Sequence, residues 1–187
     1  MFKILESVEK IGLDYVDLFL IHSPHTGPKH RREIWKALEK LVKEKKAKSI
    51  GVSNYGVKHL EELKQYAELP ITVNQIEIHP FNQMRDITDY CQSHGIIVEA
   101  YCPLIRAVKK DDPTLLKVAK EVNKDWSQVL LRWSIQKGFS PIYKSDTPSR
   151  ITSNAEIFDF SLNDEQMKAL DSLDEGLHVA PNVVDCE

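Results

Sequence analysis

The chain has 187 residues, 42% of them hydrophobic, with 25 Lys and Arg against 28 Asp and Glu and a formal net charge of −3. That make-up suits one globular core or part of a larger one, and it lacks the basic face that a dedicated nucleic-acid binder needs. The three cysteines, Cys91, Cys102 and Cys186, are too few and too scattered for a disulfide framework or a zinc site, and no apolar run approaches the roughly 20 residues of a membrane span. Reduced thiols and a cytoplasmic location are therefore expected, and the apolar start Met1-Phe2-Lys3-Ile4-Leu5 is too short for a signal peptide.

In chain order, Ile4, Leu5, Val8 and Ile11 recur at helical spacing, with Gly12 as a stop. Tyr15 to Ile21 is short, apolar and bounded by turn residues, as expected of a strand buried on both faces. Residues 31–46 return to helical period, with Ile34, Leu38, Leu41 and Val42 on one stripe. A strand at Ser49–Ser53 precedes a helix over 57–67, and a strand at Ile71–Ile76 precedes a helix over 86–94 that ends at Gly95. Ile96–Tyr101 is a strand followed by helices near 113–122 and 127–137. Ser140–Tyr143 is a short strand followed by helices near 148–156 and 164–173, the last with Asn163 as N-cap.

Strict alternation of strands and helices implies parallel strands joined by right-handed crossovers. No linker divides the five units, so residues 1–187 are expected to form a single domain. A closed (β/α)₈ barrel needs eight such units. An open doubly wound sheet is the alternative, but it normally carries a glycine-rich phosphate loop, and neither G-x-G-x-x-G nor G-x-x-x-x-G-K-[ST] occurs. The expected class is thus α/β, an incomplete (β/α)₈ barrel with about five βα units and a C-terminal helix.

Polar or aromatic residues gather at the C-terminal ends of the strands, where barrels place their chemistry: His22, Ser53, Asn54, Gln75 and Tyr101. Taken singly, each has a plain structural explanation, as a packed histidine, turn chemistry, a solvent-facing glutamine or a core tyrosine. Four successive strand ends directed to one rim make a site the competing explanation.

The segments Gly12-Leu13-Asp14-Tyr15-Val16-Asp17-Leu18-Phe19-Leu20-Ile21-His22, Ile50-Gly51-Val52-Ser53-Asn54-Tyr55 and Asn74-Gln75-Ile76-Glu77-Ile78-His79-Pro80 resemble, in order, signature segments of the aldo-keto reductases. Glu99-Ala100-Tyr101-Cys102-Pro103-Leu104 and Lys144-Ser145-Asp146-Thr147-Pro148-Ser149-Arg150-Ile151 continue the series. The resemblance runs through essentially the whole chain and implies a (β/α)₈ barrel that binds NADP(H) and transfers hydride between it and an aldehyde, ketone or alcohol. It implies that His22 orients the substrate carbonyl, and that Ser53, Asn54 and Gln75 hold the nicotinamide carboxamide. Tyr101 would stack on the nicotinamide ring, Leu104 would pack against the pyrophosphate, Lys144, Ser145 and Arg150 would grip the 2′-phosphate, and Asn154 would bind adenine.

Some positions depart from the family pattern: Ser153 replaces a frequent glutamate, Tyr143 a proline, and Cys102 a serine, while Arg106 and Lys109–Asp112 differ in the pyrophosphate loop. The family's catalytic aspartate, tyrosine and lysine belong to strands before Met1. Tyr15, at the wrong end of its strand, and Tyr55, in the Ser-Asn-Tyr turn, cannot replace them. The chain is therefore expected to be an amino-terminally truncated reductase with essentially no turnover alone. A non-catalytic NADP(H)-binding pseudoenzyme or partner subunit is the alternative, as is a chain without autonomous function. Self-association through exposed sheet edges is also expected.

Overall fold

The structure is a computed structural model that describes residues 6, 10–184 and 186. Five parallel strands follow one another in the sheet in chain order: β1 (Val16–Ile21), β2 (Ala47–Ser53), β3 (Val73–Glu77), β4 (Ile97–Tyr101) and β5 (Ser140–Pro141). Seven helices alternate with them among the described residues: α1 (Gly27–Lys43), α2 (Val57–Lys64), α3 (Arg85–Ser93), α4 (Pro113–Glu121), α5 (Trp126–Gln136), α6 (Pro148–Ala155) and α7 (Asp164–Asp171). This is the parallel α/β pattern that the alternation predicts. Of the opening helical pattern, Ile4, Leu5 and Val8 lie outside the described residues, while Gly12 takes the left-handed conformation of a helix stop, at φ 75°.

Contacts divide the chain into two compact units. The first comprises residues up to Gln75, Asp89–Ile97 and the chain from Asn182 onward. Here β1 and β2 run in register, with Leu18 opposite Ser49 and Leu20 opposite Gly51, and β2 meets β3 through Val52–Asn74 and Ser53–Gln75. Gly51 is dictated by close approach: a Cβ there would lie 2.6 Å from the Val73 carbonyl oxygen. The expectation that β1 is buried on both faces is corrected. Asp17 is exposed and only Ile21 is fully buried, because β1 is a terminal strand of the order.

α1 begins at Gly27, ahead of the predicted residue 31, with Pro28 pre-set for its first turn. Its buried stripe is also shifted. Trp35, Leu38 and Leu41 form it, together with two charged residues, Arg31 and Glu39. The Glu39 carboxylate accepts from Trp35 Nε1 at 3.0 Å and from the backbone N–H groups of Glu68 (2.6 Å) and Leu69 (3.0 Å). Burial alone would raise its pKa; those N–H groups and Lys36 outweigh burial and hold it below the ordinary value. The Arg31 guanidinium forks onto Glu62, with Nε 3.2 Å from Oε1, and donates through Nη1 to the Pro24 carbonyl at 2.7 Å.

The second unit comprises Ile76–Thr88 and Val98–Pro181. β4 pairs with β5 through Glu99–Ser140 and Ala100–Pro141. β5 is only two residues long, shorter than the predicted Ser140–Tyr143. Helix starts are set by side-chain caps. Asp112 accepts from the N–H groups of Thr114 and Leu115, Asp125 from that of Ser127, and Asn163 from that of Gln166, each at 2.9–3.0 Å. Leu115, Val118, Val129, Leu130, Leu131 and Trp133 make the helical part of the core. Trp133 keeps its indole N–H satisfied on Asp171 Oδ1 at 2.8 Å.

Candidate functional site

In the first unit the predicted residues His22, Ser53, Asn54 and Gln75 are joined by hydrogen bonds. Ser53 Oγ donates to the Gln75 carbonyl (2.7 Å), and the Asn54 backbone N–H reaches the same oxygen (2.9 Å). Asn54 Nδ2 donates to Ser53 Oγ and to the His22 carbonyl, both at 3.0 Å. Asn54 sits at φ 62°, a conformation that asparagine tolerates better than most residues and that turns its side chain back on the strand ends. Ser53 and Asn54 are buried, Gln75 is half-buried and the His22 side chain is exposed. A primary carboxamide docking here would meet a hydroxyl and two side-chain amides, the complement of its two donors and one acceptor.

In the second unit two cavities lie beyond the ends of β4 and β5. One, of about 500 Å³, is walled by Tyr101, Cys102, Leu104, Arg106, Tyr143 and Lys144, among others. It is largely apolar, and burial pushes the Tyr101 hydroxyl pKa up to about 12, so the ring is neutral at physiological pH. The other, of about 600 Å³, brings together Leu104, Lys144, Ser145, Arg150 and Asn154, five of the predicted binding residues. Arg106 and Lys110 also line it, so four cations face one carboxylate, Asp125, across the wall. Lys144 is bound to Asp146 at 2.6 Å, but both side chains are over 80% exposed, so the pair is weak and open to exchange for a phosphate.

Asn154 is buried, and its amide lies 3.0 Å from Ser127 Oγ, which is itself 2.8 Å from Asp125 Oδ1. The Asn154 oxygen facing Ser127 is its Oδ1, so its Nδ2 is the group left to donate to a ligand acceptor such as a ring nitrogen.

The sequence reading passed over Glu77, the last residue of β3. Its buried carboxylate accepts from the N–H groups of Val179 (2.7 Å) and Ala180 (3.1 Å) and from His79 Nε2 (3.1 Å), with His178 Nδ1 at 3.6 Å. Burial alone would raise its pKa; His79 and the two N–H groups more than offset this and lower it. The chain segment at 178–180 is thereby fastened to the end of β3. The local signal was the Glu-x-His spacing, which puts both side chains on one face of an extended chain.

A tyrosine, a lysine and an aspartate do meet in the first unit, but at the opposite end of β1. Lys48 Nζ lies 3.1 Å from the Tyr15 hydroxyl and 2.7 Å from Asp17 Oδ1, on an exposed face. At about 3.3 Å per residue, Tyr15 and His22 are roughly 23 Å apart along that strand. Tyr55 does not serve either: its hydroxyl is buried, without a hydrogen-bond partner among the described residues, and desolvation pushes its pKa well up. The described residues contain no cluster fit to hold a metal ion and no helix long and apolar enough to cross a membrane.

Residues 1–175 match the model of the aldo/keto reductase family. The chain belongs to that family. This aldo/keto reductase chain is 50% identical over 169 residues to an uncharacterized oxidoreductase of Saccharomyces cerevisiae, covering 89% of the chain and 60% of that relative. It is 45% identical over 177 residues to the glyoxal reductase of Bacillus subtilis, covering 95% of the chain and 63% of that protein. Among solved structures it superposes on a Bombyx mori aldo-keto reductase in complex with NADP with a TM-score of 0.88 and 35% identity, over 95% of this chain and 63% of that one. The chain thus spans about three-fifths of the length of the curated relatives it matches. The five strands and seven helices of the described residues are those of an incomplete (β/α)₈ barrel, as the alternation predicts.

Proposed function

We propose that this chain binds NADP(H) and carries the cofactor-holding part of an oxidoreductase that moves hydride between NADP(H) and a small aldehyde, ketone or alcohol. The observation that carries this is the cavity beyond β5, where four cationic side chains surround Ser145 and Asn154. Its donor set fits a phosphorylated nucleotide: Lys144, Arg150 and the Ser145 hydroxyl grip the 2′-phosphate, and Asn154 contacts adenine. Leu104 packs against the pyrophosphate and Tyr101 stacks on the nicotinamide; in the first unit, Ser53, Asn54 and Gln75 offer the hydroxyl and amides that a carboxamide takes. When bound, the cofactor supplies or accepts the hydride. His22 donates a hydrogen bond to the carbonyl oxygen, which stabilises the charge developing there. The glyoxal reductase relative favours a small carbonyl as substrate.

A second reading, an NADP(H) binder without turnover, is favoured by the place of the Tyr15–Lys48–Asp17 group. It lies at the far end of β1 from His22 and cannot protonate a carbonyl held there. Positioned proton transfer contributes about 10²–10⁴ in rate, and a carbonyl at His22 gains none of it from this group.

Fluorescence titration with NADPH tests the binding. Saturable binding is expected, with Lys144→Ala and Arg150→Ala each weakening it by about 10- to 100-fold, as loss of one charge-assisted contact does. No saturation, or equal affinity for NADH and NADPH, would refute the proposal. An aldehyde-dependent NADPH oxidation assay on the same sample separates the two readings. A rate abolished by His22→Ala supports the reductase, and binding without any rate above blank supports the second reading.

A further inference from the structure

After α7 the chain returns to the end of β3 and is pinned there in two places, both within the second unit. The Phe81 carbonyl accepts from the N–H groups of Glu175 (3.2 Å) and Leu177 (2.9 Å). Just beyond, the pin is a charge, the Glu77 carboxylate that holds Val179 and Ala180. The acidic side chains of this strap are already matched, Asp174 with Arg85 at 3.4 Å and Glu175 with Lys109 at 2.7 Å.

The second pin has an acceptor place to spare. An ionised carboxylate offers about four lone-pair positions, two on each oxygen. Glu77 Oε1 takes two donors, Val179 N–H at 2.7 Å and His79 Nε2 at 3.1 Å. Among the described residues Oε2 takes one, Ala180 N–H at 3.1 Å. Its other place faces Nδ1 of His178 at 3.6 Å, too far for a hydrogen bond but within reach of an ion pair once the ring is charged.

Two imidazoles flank the carboxylate, and their surroundings differ. The His79 side chain is wholly buried, and its Nδ1 has no hydrogen-bond partner among the described residues. A second proton on that ring would be a buried N–H without an acceptor. The His178 side chain is 24% exposed, so water can deliver a proton to it, and its Nδ1 already faces a carboxylate oxygen. Histidine is the side chain that ordinarily changes charge between about pH 5 and 8. The titratable group near the cluster on β4 is Tyr101; burial first, and the Glu77 charge second, push its pKa up to about 12, outside that range. The lowered pKa of Glu77 keeps it an anion throughout.

We infer that His178 and Glu77 form a pH-gated clasp on the strap: below neutral pH the imidazolium closes onto Glu77 Oε2 and tightens the hold on residues 178–180, and at alkaline pH the hold loosens. The proton is taken up on His178 and the carboxylate stays ionised. A positive charge gained beside that carboxylate stabilises the fastened state, so the gain is present at low pH and is lost as the proton leaves.

Amide hydrogen exchange of the full 187-residue chain between about pH 5.5 and 8, corrected for the intrinsic pH dependence of exchange, tests the clasp. Protection of the Val179 and Ala180 N–H groups should rise about 2- to 5-fold from the alkaline to the acid end, the size of a partly exposed ion pair. The Glu175 N–H, pinned on Phe81 instead, should show no such rise. His178→Gln, uncharged at every pH, should keep the alkaline level of protection throughout. Nitrogen-15 NMR of the His178 ring should show its second proton arriving over the same range in which protection changes. No rise in the unsubstituted chain, or an equal rise in His178→Gln, would overturn the clasp. So would a rise shared equally by Glu175, or ring protonation outside the range in which protection changes.

Discussion

Replacing Glu77 by glutamine preserves shape and removes charge, so it isolates the role of the buried carboxylate. In the folded chain the two oxygens accept from Val179 N–H at 2.7 Å, Ala180 N–H at 3.1 Å and His79 Nε2 at 3.1 Å. Glutamine has one oxygen, and its NH₂ faces a donor on the other side. One N–H therefore loses its partner, at about 1.5–3 kcal/mol for a charge-assisted bond, and the remaining bonds become neutral ones. A total loss of about 2–4 kcal/mol is expected, measured at pH 7 by urea denaturation. Amide exchange at 178–180 should accelerate in parallel if the damage begins where the segment is fastened. The effect also has a pH signature. The Glu77 pKa is depressed in the folded state, so its stabilisation is fully present above the unfolded carboxyl value and is lost as the pH falls through the folded one. The gap between wild type and Glu77→Gln should thus narrow in acid. Equal denaturation midpoints at pH 7 together with unchanged exchange at 178–180 would refute the reasoning.

Gly51→Ala puts a Cβ 2.6 Å from the Val73 carbonyl oxygen and 2.9 Å from Leu20 Cδ2, and should cost about 3 kcal/mol or more in thermal or urea unfolding as β2 is forced from β3. Glu62→Ala strands the Arg31 guanidinium, whose side chain is 4% exposed, and should cost about 3–5 kcal/mol, with double substitution to Arg31→Met and Glu62→Ala recovering part of it. Ala107→Gly frees an exposed residue at φ 64° from its left-handed strain and should raise stability by up to about 1 kcal/mol, read as a higher melting temperature.

Local signals foretold local structure. The apolar run Val16-Asp17-Leu18-Phe19-Leu20-Ile21 and the Asn163 cap appear where spacing and capping chemistry put them, because neighbours in the chain decide them. Buried charge was not foreseen. Arg31 and Glu39 are buried because Glu62, Glu68 and Leu69, some 30 residues away, supply their partners. The backbone N–H partners of Glu77 lie 102 and 103 residues on and leave no trace in local spacing. Of the predicted binding residues, Ser53, Asn54 and Gln75 meet as strand ends must, and Lys144, Ser145, Arg150 and Asn154 share one cavity, the first two from the segment before α6 and the last two from that helix.

The cavity-lining residues Tyr101, Leu104, Arg106, Lys144, Ser145, Arg150 and Asn154 all come from one uninterrupted stretch of chain inside one compact unit, whereas His22 and Ser53 come from the other. On the proposed reading, the residues for the adenosine end of the cofactor are thus encoded apart from His22, so the loop after β1 can vary in sequence without touching the stretch of chain that carries them.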